Sequence, residues 1–262
     1  MGIFDFNRAI VRRPGRSVVD GLRSAPDATP DHDIVVHEHD AYLAALRGAG
    51  LAVEVLPPLE QYPDSMFVED AALVFAEGAI LLRPGAPSRL GETADMRGVL
   101  ARNFPAVQEL EGDEYVDGGD VLVMRDAVLI GLSARTSRDG ANALAGKLET
   151  FGRKCHTVEV PNGMLHLKTG VSLLDEETVL ATAAIARSGA FAGFRRLVVP
   201  AGEEGAPNAL RINETIFVGA CYPRTIEQVV KEGFRVAALS VSEIAKLDAG
   251  LSCMSLRWLA SA

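Results

Sequence analysis

The chain has 262 residues, 48% of them hydrophobic and 23% charged, a balance that lets a globular protein bury a large core without cross-links. Acidic residues outnumber basic ones by 35 to 26, and the net charge of -9 excludes an electrostatic nucleic-acid or acidic-membrane partner. Three scattered cysteines, Cys155, Cys221 and Cys253, make neither a disulfide framework nor a CxxC zinc pair.

The opening stretch MGIFDFNRAIVRRPG lacks an apolar core of signal-peptide length, and Phe6 stands where a myristoylation signal needs Ser or Thr. No apolar run reaches the roughly eighteen residues of a membrane span, so a cytoplasmic location is expected. TPDHDIVVHEHDAYLAAL then reads as a helix capped by Thr29 or Asp31. Its HEH run lacks HExxH spacing, and His37 and His39, two positions apart, do not share a helical face; a solvated face is expected in place of a metal site.

From Asp70 onward a faint repeat appears. VED ends at Asp70, GGD at Asp120 and LKTG at Gly170, at intervals of 50 residues, and each opens an apolar run, a polar turn and a second apolar run. That pattern is a hairpin. NALRINETIFVGACYPRT, from Asn208 to Thr225, is a fourth copy. Stretches of helical period, such as RTSRDGANALAGKLETFG and RTIEQVVKEGF, follow the hairpins, and short strands such as HTVEV and RVAALS follow those. The fifth copy is cut in two: CMSLRW near the C-terminus supplies its first strand and NRAIVRRPGRS near the N-terminus its second. The expected fold is α/β, a five-bladed propeller of pseudo-symmetric ββαβ repeats spanning 1–262 as one domain and closed by its two terminal strands. An ordinary α/β sheet with hairpins also fits the pattern. In a ring, Asp70, Asp120, Gly170, Asn208 and Cys253 converge on the axis and make a pocket.

The residues near these openings are chemically diverse. Cys253 is a candidate nucleophile, for which a nearby histidine or cation is needed, and His166 stands four residues before an opening. Asp64, Glu69 and Asp70 suit a planar cation, because carboxylates accept the forked donors of a guanidinium in pairs. Asp117 precedes two glycines that permit close backbone approach or positive φ. Arg89 and Arg135 could hold a substrate carboxylate. Cys253 and His166 alone fall short of the three or four ligands of a dedicated zinc site, so no metal is expected, and a covalent route through a cysteine requires no organic cofactor.

Taken together, DSMFVEDAALVFAEGAILLRPGAPSR, DGGDVLV, GLSART, LHLKTG and LDAGLSCMS resemble the motifs of the dimethylarginine dimethylaminohydrolases, relatives of arginine deiminases and amidinotransferases. The resemblance runs from Phe6 to Trp258 and implies the five-bladed pentein fold. It implies Cys253 as nucleophile, His166 as general acid and base, and Asp117 as its acidic partner. It further implies Asp70 as guanidinium clasp, Asp64 and the Leu22 carbonyl as the α-ammonium site, and Arg89 with Arg135 as the α-carboxylate clamp. Glu69 and Asp248 match supporting acidic positions. The implied activity is hydrolysis of Nω-methylated arginines to citrulline and an amine through a covalent thiouronium, with a small guanidine compound as the partner. Deimination of free arginine, amidino transfer and a non-catalytic arginine-binding role stay open at this point, as does a homodimer.

Overall fold

The computed structural model describes residues 2–260; the first residue and the last two of the expected 1–262 domain lie outside them. Five three-stranded sheets carry the chain, each with an antiparallel pair extended by a parallel third strand. The first complete blade is β3 (Ala72–Phe75), β4 (Gly78–Leu81) and β5 (Val107–Glu109), with α2 (Glu92–Asn103) in the crossover. Next come β6 (Val121–Val123), β7 (Val128–Leu132) and β8 (Cys155–Glu159), with α3 (Arg138–Glu149). In the third blade α4 (Leu167–Gly170) leads into β9 (Val171–Leu173) and β10 (Thr178–Ala181), and α5 (Ala183–Ser188) crosses to β11 (Arg195–Val198). The fourth has β12 (Leu210–Ile212), β13 (Thr215–Gly219), α6 (Pro223–Lys231) and β14 (Arg235–Leu239).

The remaining sheet joins the two ends of the chain. β1 (Arg8–Arg12) runs parallel to β2 (Ala52–Leu56) across α1 (His32–Gly48) and antiparallel to β15 (Leu256–Trp258), with Arg8 opposite Trp258 and Ile10 opposite Leu256. The middle strands are the most apolar: β4 and β10 are buried along their whole length, while β8, β11 and β14 present exposed positions. A strand buried on both faces needs a continuous apolar run, which is why AIL and TVLA lack strict alternation. The terminal blade is gripped on both sides. Ile10, Leu256 and Trp258 pack with Val68, Ala72 and Leu81 of the first blade, whereas Val11 and Met254 pack with Leu210 and Phe217 of the fourth.

Two local expectations change. CMSLRW does not form a strand from Cys253; β15 begins only at Leu256 and Cys253 occupies a turn. Its backbone is taken by neighbouring blades, since Ser252 N–H donates to Asn208 Oδ1 and the Cys253 carbonyl accepts from Glu69 N–H. The HEH face is not solvated as a whole. Asp31 caps α1 and His37 is exposed, but Glu38 and His39 are buried. Burial and the neighbouring Arg13 hold His39 down to about 4, against the opposing pull of Asp40 and the Arg12 backbone, so it packs as a neutral ring. Glu38 accepts from the backbone N–H groups of Ser242, Glu243 and Ile244, fixing the loop that leads to Cys253.

Closure of the ring by three residues of β15 makes Leu256 a test of its cooperativity. Leu256→Ala is expected to lower stability by about 2–5 kcal/mol through lost burial and a residual cavity. Urea unfolding followed by circular dichroism should show a lower midpoint and a single transition.

Candidate active site

At one end of the axis the blade openings surround a cavity of about 240 Å³. Leu22, Asp64, Asp70, Arg89, Asp117, Arg135, His166, Asp248 and Cys253 all line it, so nine of the ten residues given a site role from the sequence meet there, whereas Asp120, Gly170 and Asn208, expected to converge on the pocket, do not line it. Glu69 is the tenth, and its side chain lines a second cavity on the far side.

Asp117 and His166 form the core of the site. His166 precedes α4 in extended backbone and is 7% exposed, and its Nε2 lies 2.9 Å from Asp117 Oδ2. The other oxygen of Asp117 accepts from Gly85 N–H at 2.7 Å. The two glycines after Asp117 are there for close approach, since neither has positive φ. A Cβ on Gly118 would stand 1.9 Å from the Glu69 carbonyl oxygen, and one on Gly119 would stand 2.7 Å from His166 Nδ1. Only hydrogen fits.

Burial works against a charge on His166, but Asp70, the hydrogen bond to Asp117 and the charges of Asp120 and Asp117 outweigh it and lift its pKa to about 9. The ring is therefore an imidazolium near neutral pH. Asp70 responds in the opposite sense. Its burial favours the neutral acid, while His166, Arg89 and the Gly119 N–H hold it ionised with a pKa of about 2. Donor atoms of Asp70, Asp117 and His166 all lie within 4.8 Å of one another. That cluster has the spacing of a cation site, and a metal ion there would have to displace the imidazolium proton.

Cys253 sits across this cavity with its thiol buried. Burial raises its pKa, Glu69 and Asp70 add to the rise, and N–H donors from Gly250 and Asn208 partly oppose it, leaving a value of about 11. Asn208 Nδ2 is 3.6 Å from Sγ. Gly250 is required beside it, because a Cβ there would come within 2.4 Å of the Asn208 side chain.

At the mouth, Asp64 Oδ1 accepts from Leu22 N–H at 3.0 Å. Burial raises the pKa of Asp64 against the opposing influence of Arg89, the Leu22 N–H and Arg135. Asp248, in the left-handed region at φ 53°, accepts from both the N–H and the hydroxyl of Ser24, tying the 21–27 loop to the cavity edge. Arg89 is turned inward. Its guanidinium reaches Asp70 at 2.5 Å, Glu92 at 2.8 Å and the carbonyls of Asp64 and Phe67, so most of its donors hold the protein together.

Several contributors were not assigned a site role from sequence. Glu92 balances Arg89, and Lys168 pairs with Glu69 at 2.7 Å. Asp120 receives Leu167 N–H at 2.8 Å and the hydroxyls of Ser133 and Thr136, positioning the backbone that carries His166. Lys168 and Asp120 lie within the quoted LHLKTG and DGGDVLV motifs. Glu92 had no such signal.

The arginine deiminase family model matches residues 55–216. Over 97% of its length the chain is 39% identical to the N(G),N(G)-dimethylarginine dimethylaminohydrolase of Pseudomonas aeruginosa, all of which is covered. The chain belongs to the dimethylarginine dimethylaminohydrolase family. The enzyme of the same name from Streptomyces coelicolor is 32% identical over 95% of this chain and 96% of its own. Among solved structures, a cysteine-to-serine variant of the Pseudomonas dimethylaminohydrolase complexed with citrulline superposes with a TM-score of 0.94 at 38% identity, covering 97% of this chain and 100% of that one. The N-terminal domain of ArgZ, a cyanobacterial arginine dihydrolase, shares the fold at a TM-score of 0.85 and 20% identity over 97% and 98% of the two chains. This fold agrees with the five-bladed pentein expectation.

In this dimethylaminohydrolase family member the His166 proton also contributes to folding. Its pKa rises from 6.5 to about 9 on folding, so the stabilisation is fully present below 6.5 and is lost as pH climbs through 9. Melting temperatures measured between pH 6 and 10 should fall for the wild type, and the slope should flatten in His166→Asn. An unchanged slope would remove His166 from the charged network.

Proposed function

We propose that this protein hydrolyses Nω-methylated arginines, asymmetric dimethylarginine among them, to citrulline and the corresponding amine. The observation that carries the reading is one small cavity that faces a buried thiol with an Asp117–His166 pair and an ionised Asp70. The Pseudomonas relative carries this activity in its name, and a variant of it holds citrulline.

A guanidinium is hard to attack because its charge is spread over three nitrogens. Asp70 and Asp117 offer carboxylate lone pairs to its forked N–H groups and set its carbon toward Cys253, a positioning effect that can supply several kcal/mol of the barrier. At the other end, Asp64 and the Leu22 carbonyl receive the α-ammonium, and Arg135 receives the α-carboxylate with Arg89 behind it. Arg89 acts mainly through Asp70, whose orientation it fixes.

The thiol is protonated in the free protein, and the bound cation offsets the two carboxylates that suppress its ionisation. Its proton leaves to solvent as the substrate binds. The thiolate then forms a C–S bond, and His166 as imidazolium gives its proton to the departing dimethylamine as the C–N bond breaks. A covalent S-alkylthiouronium remains. Water attacks its carbon and yields one proton to the neutral His166; the adduct collapses to the urea group of citrulline as the C–S bond breaks, the electron pair returning to sulfur and the remaining hydroxyl proton leaving to solvent. Positioned proton transfer contributes about 10²- to 10⁴-fold in such steps. The residues are sufficient for this covalent route without a metal or organic cofactor. We place the work in the cytoplasm, a reading supported by three free cysteines.

The deciding assay supplies asymmetric dimethylarginine, monomethylarginine and arginine separately and quantifies citrulline and released amine. Methylated substrates should give citrulline, and Cys253→Ser should lower turnover by at least about 10³-fold while still binding citrulline. Citrulline from arginine alone would make the protein a deiminase, and normal turnover in Cys253→Ser would exclude the covalent route. The thiol supplies a second check. Thiolate absorbance at 240 nm, taken as the difference from Cys253→Ser, should rise near pH 11 in the free protein and at lower pH with a bound guanidinium.

A further inference from the structure

The larger of the two cavities, about 420 Å³, lies away from Cys253 and His166, between the first strands of the blades and the 2–6 segment. Its walls include Leu73, Phe75, Leu173 and Trp258, yet five cations also reach it: Arg125, Arg153, Lys168, Arg211 and Arg257. This is unexpected in a protein with a net charge of -9. Arg125 and Arg153 are neutralised by Glu176 and Glu77 at the rim. Further in, Lys168, Arg211 and Arg257 share the lining with one buried carboxylate, Glu69, and with the exposed Asp5.

Glu69 Oε1 is shared by Lys168 at 2.7 Å and Arg257 at 3.3 Å. Arg211 has only the carbonyls of Leu174 and Asn213, with its guanidinium over the Phe4 ring at 4.6 Å. A guanidinium is not deprotonated in proteins, so the half-buried Arg211, bonded to carbonyls, keeps a positive charge that no carboxylate among the described residues pairs. Three buried polar atoms on this lining lack a hydrogen-bond partner among the described residues: Ser172 Oγ, Arg153 Nε and Arg257 Nε. Ser172 is buried on the cavity wall. A buried polar atom without a partner carries a desolvation cost that a hydrogen-bonding ligand in the cavity would relieve.

We propose that this cavity binds a small organic monocarboxylate with an apolar body, its carboxylate between Arg211 and Arg257 and its body against Leu73, Leu173 and Trp258. Glu69 already shows that Lys168 and Arg257 take a carboxylate, and a forked guanidinium favours that planar partner. The apolar walls distinguish such a ligand from a bare inorganic anion. The proposal does not rest on the hydrolase reading, because Arg211, Ser172 and the apolar walls lie outside the cavity that holds Cys253, although Arg257 and Glu69 also brace the turn before it.

Trp258 is the only tryptophan of the chain and lines the cavity, so its fluorescence reports occupancy without any assay of turnover. Titration with phenylacetate should give a saturable change. Arg211→Gln should weaken it by at least about tenfold, the size of one charge-assisted hydrogen bond, and Ser172→Leu should weaken it by narrowing the cavity. Arg135→Gln, on the opposite cavity, should leave it unchanged. Neutral 2-phenylethanol and inorganic phosphate should each bind at least about tenfold more weakly, since each supplies only one of the two features. Should either cavity variant fail to fold by circular dichroism, nuclear Overhauser contacts from the phenylacetate ring to methyl groups of Leu73 and Leu173 in the wild type decide the matter. No saturable signal, contacts to Leu22 and Leu247 instead, loss of binding in Arg135→Gln, or equal affinity for 2-phenylethanol or phosphate would overturn the proposal.

Discussion

The structure turns on carboxylates that are buried at the blade openings and satisfied across blade boundaries. Asp70 accepts from Gly119 N–H of the next blade, and Asp120 from Leu167 N–H of the blade after that. Further round, Asn208 holds Ser252 N–H, and the Cys253 carbonyl holds Glu69 N–H. A buried carboxylate without partners is costly, so each of these bonds helps fix the position of one blade against another. The same groups give one end of the axis a negative field. Stability and affinity for a cation therefore draw on a single set of atoms, and His166 takes up a proton because it stands inside that set.

Ring closure explains the place of the nucleophile candidate in the chain. The blade completed by β15 has one strand from each end of the sequence, so its opening turn falls a few residues before the C-terminal strand. Cys253 sits in that turn, between the Asn208 side of the fourth blade and the Glu69 side of the first. Met254 and Leu256 anchor it from below, both buried in the clusters that join the terminal blade to its neighbours. Small Ser252 and Gly250 fit where the neighbouring blades come closest.

What the sequence revealed followed from its repetition. Spacing of 50 residues and paired apolar runs located the hairpins, and the broken fifth copy located the seam, because those features are local to each unit. Glycines beside Asp117 were equally legible as a close approach, although their partners, Glu69 and His166, lie in other blades. Side-chain pairing was harder to read. Arg89 looked like a ligand for substrate carboxylate, and its inward bonds to Asp70 and Glu92 depend on how a loop after β4 folds back. His39 looked solvated because polar residues flank it, but α1 turns that face against the protein. Charge excess in the second cavity was invisible for the same reason: its cations come from different blades.

Glu69 and Asp70 show how one turn serves both ends of the axis. Asp70 faces the cavity that holds the thiol, while Glu69 faces the other and draws in Lys168 and Arg257. Glu69 Oε2 accepts from the hydroxyl of Ser252, one residue before Cys253, and Arg257 donates to the Ser252 and Ser255 carbonyls. The turn that presents the thiol is thus supported from behind by a buried ion network. Two adjacent acids of one short turn point to opposite sides because the backbone turns there before entering β3, and the cations that compensate them differ: His166 and Arg89 on one side, Lys168 and Arg257 on the other. Opposite fields at the two ends of the axis are the direct result, with Glu69 and its partners as the partition between them.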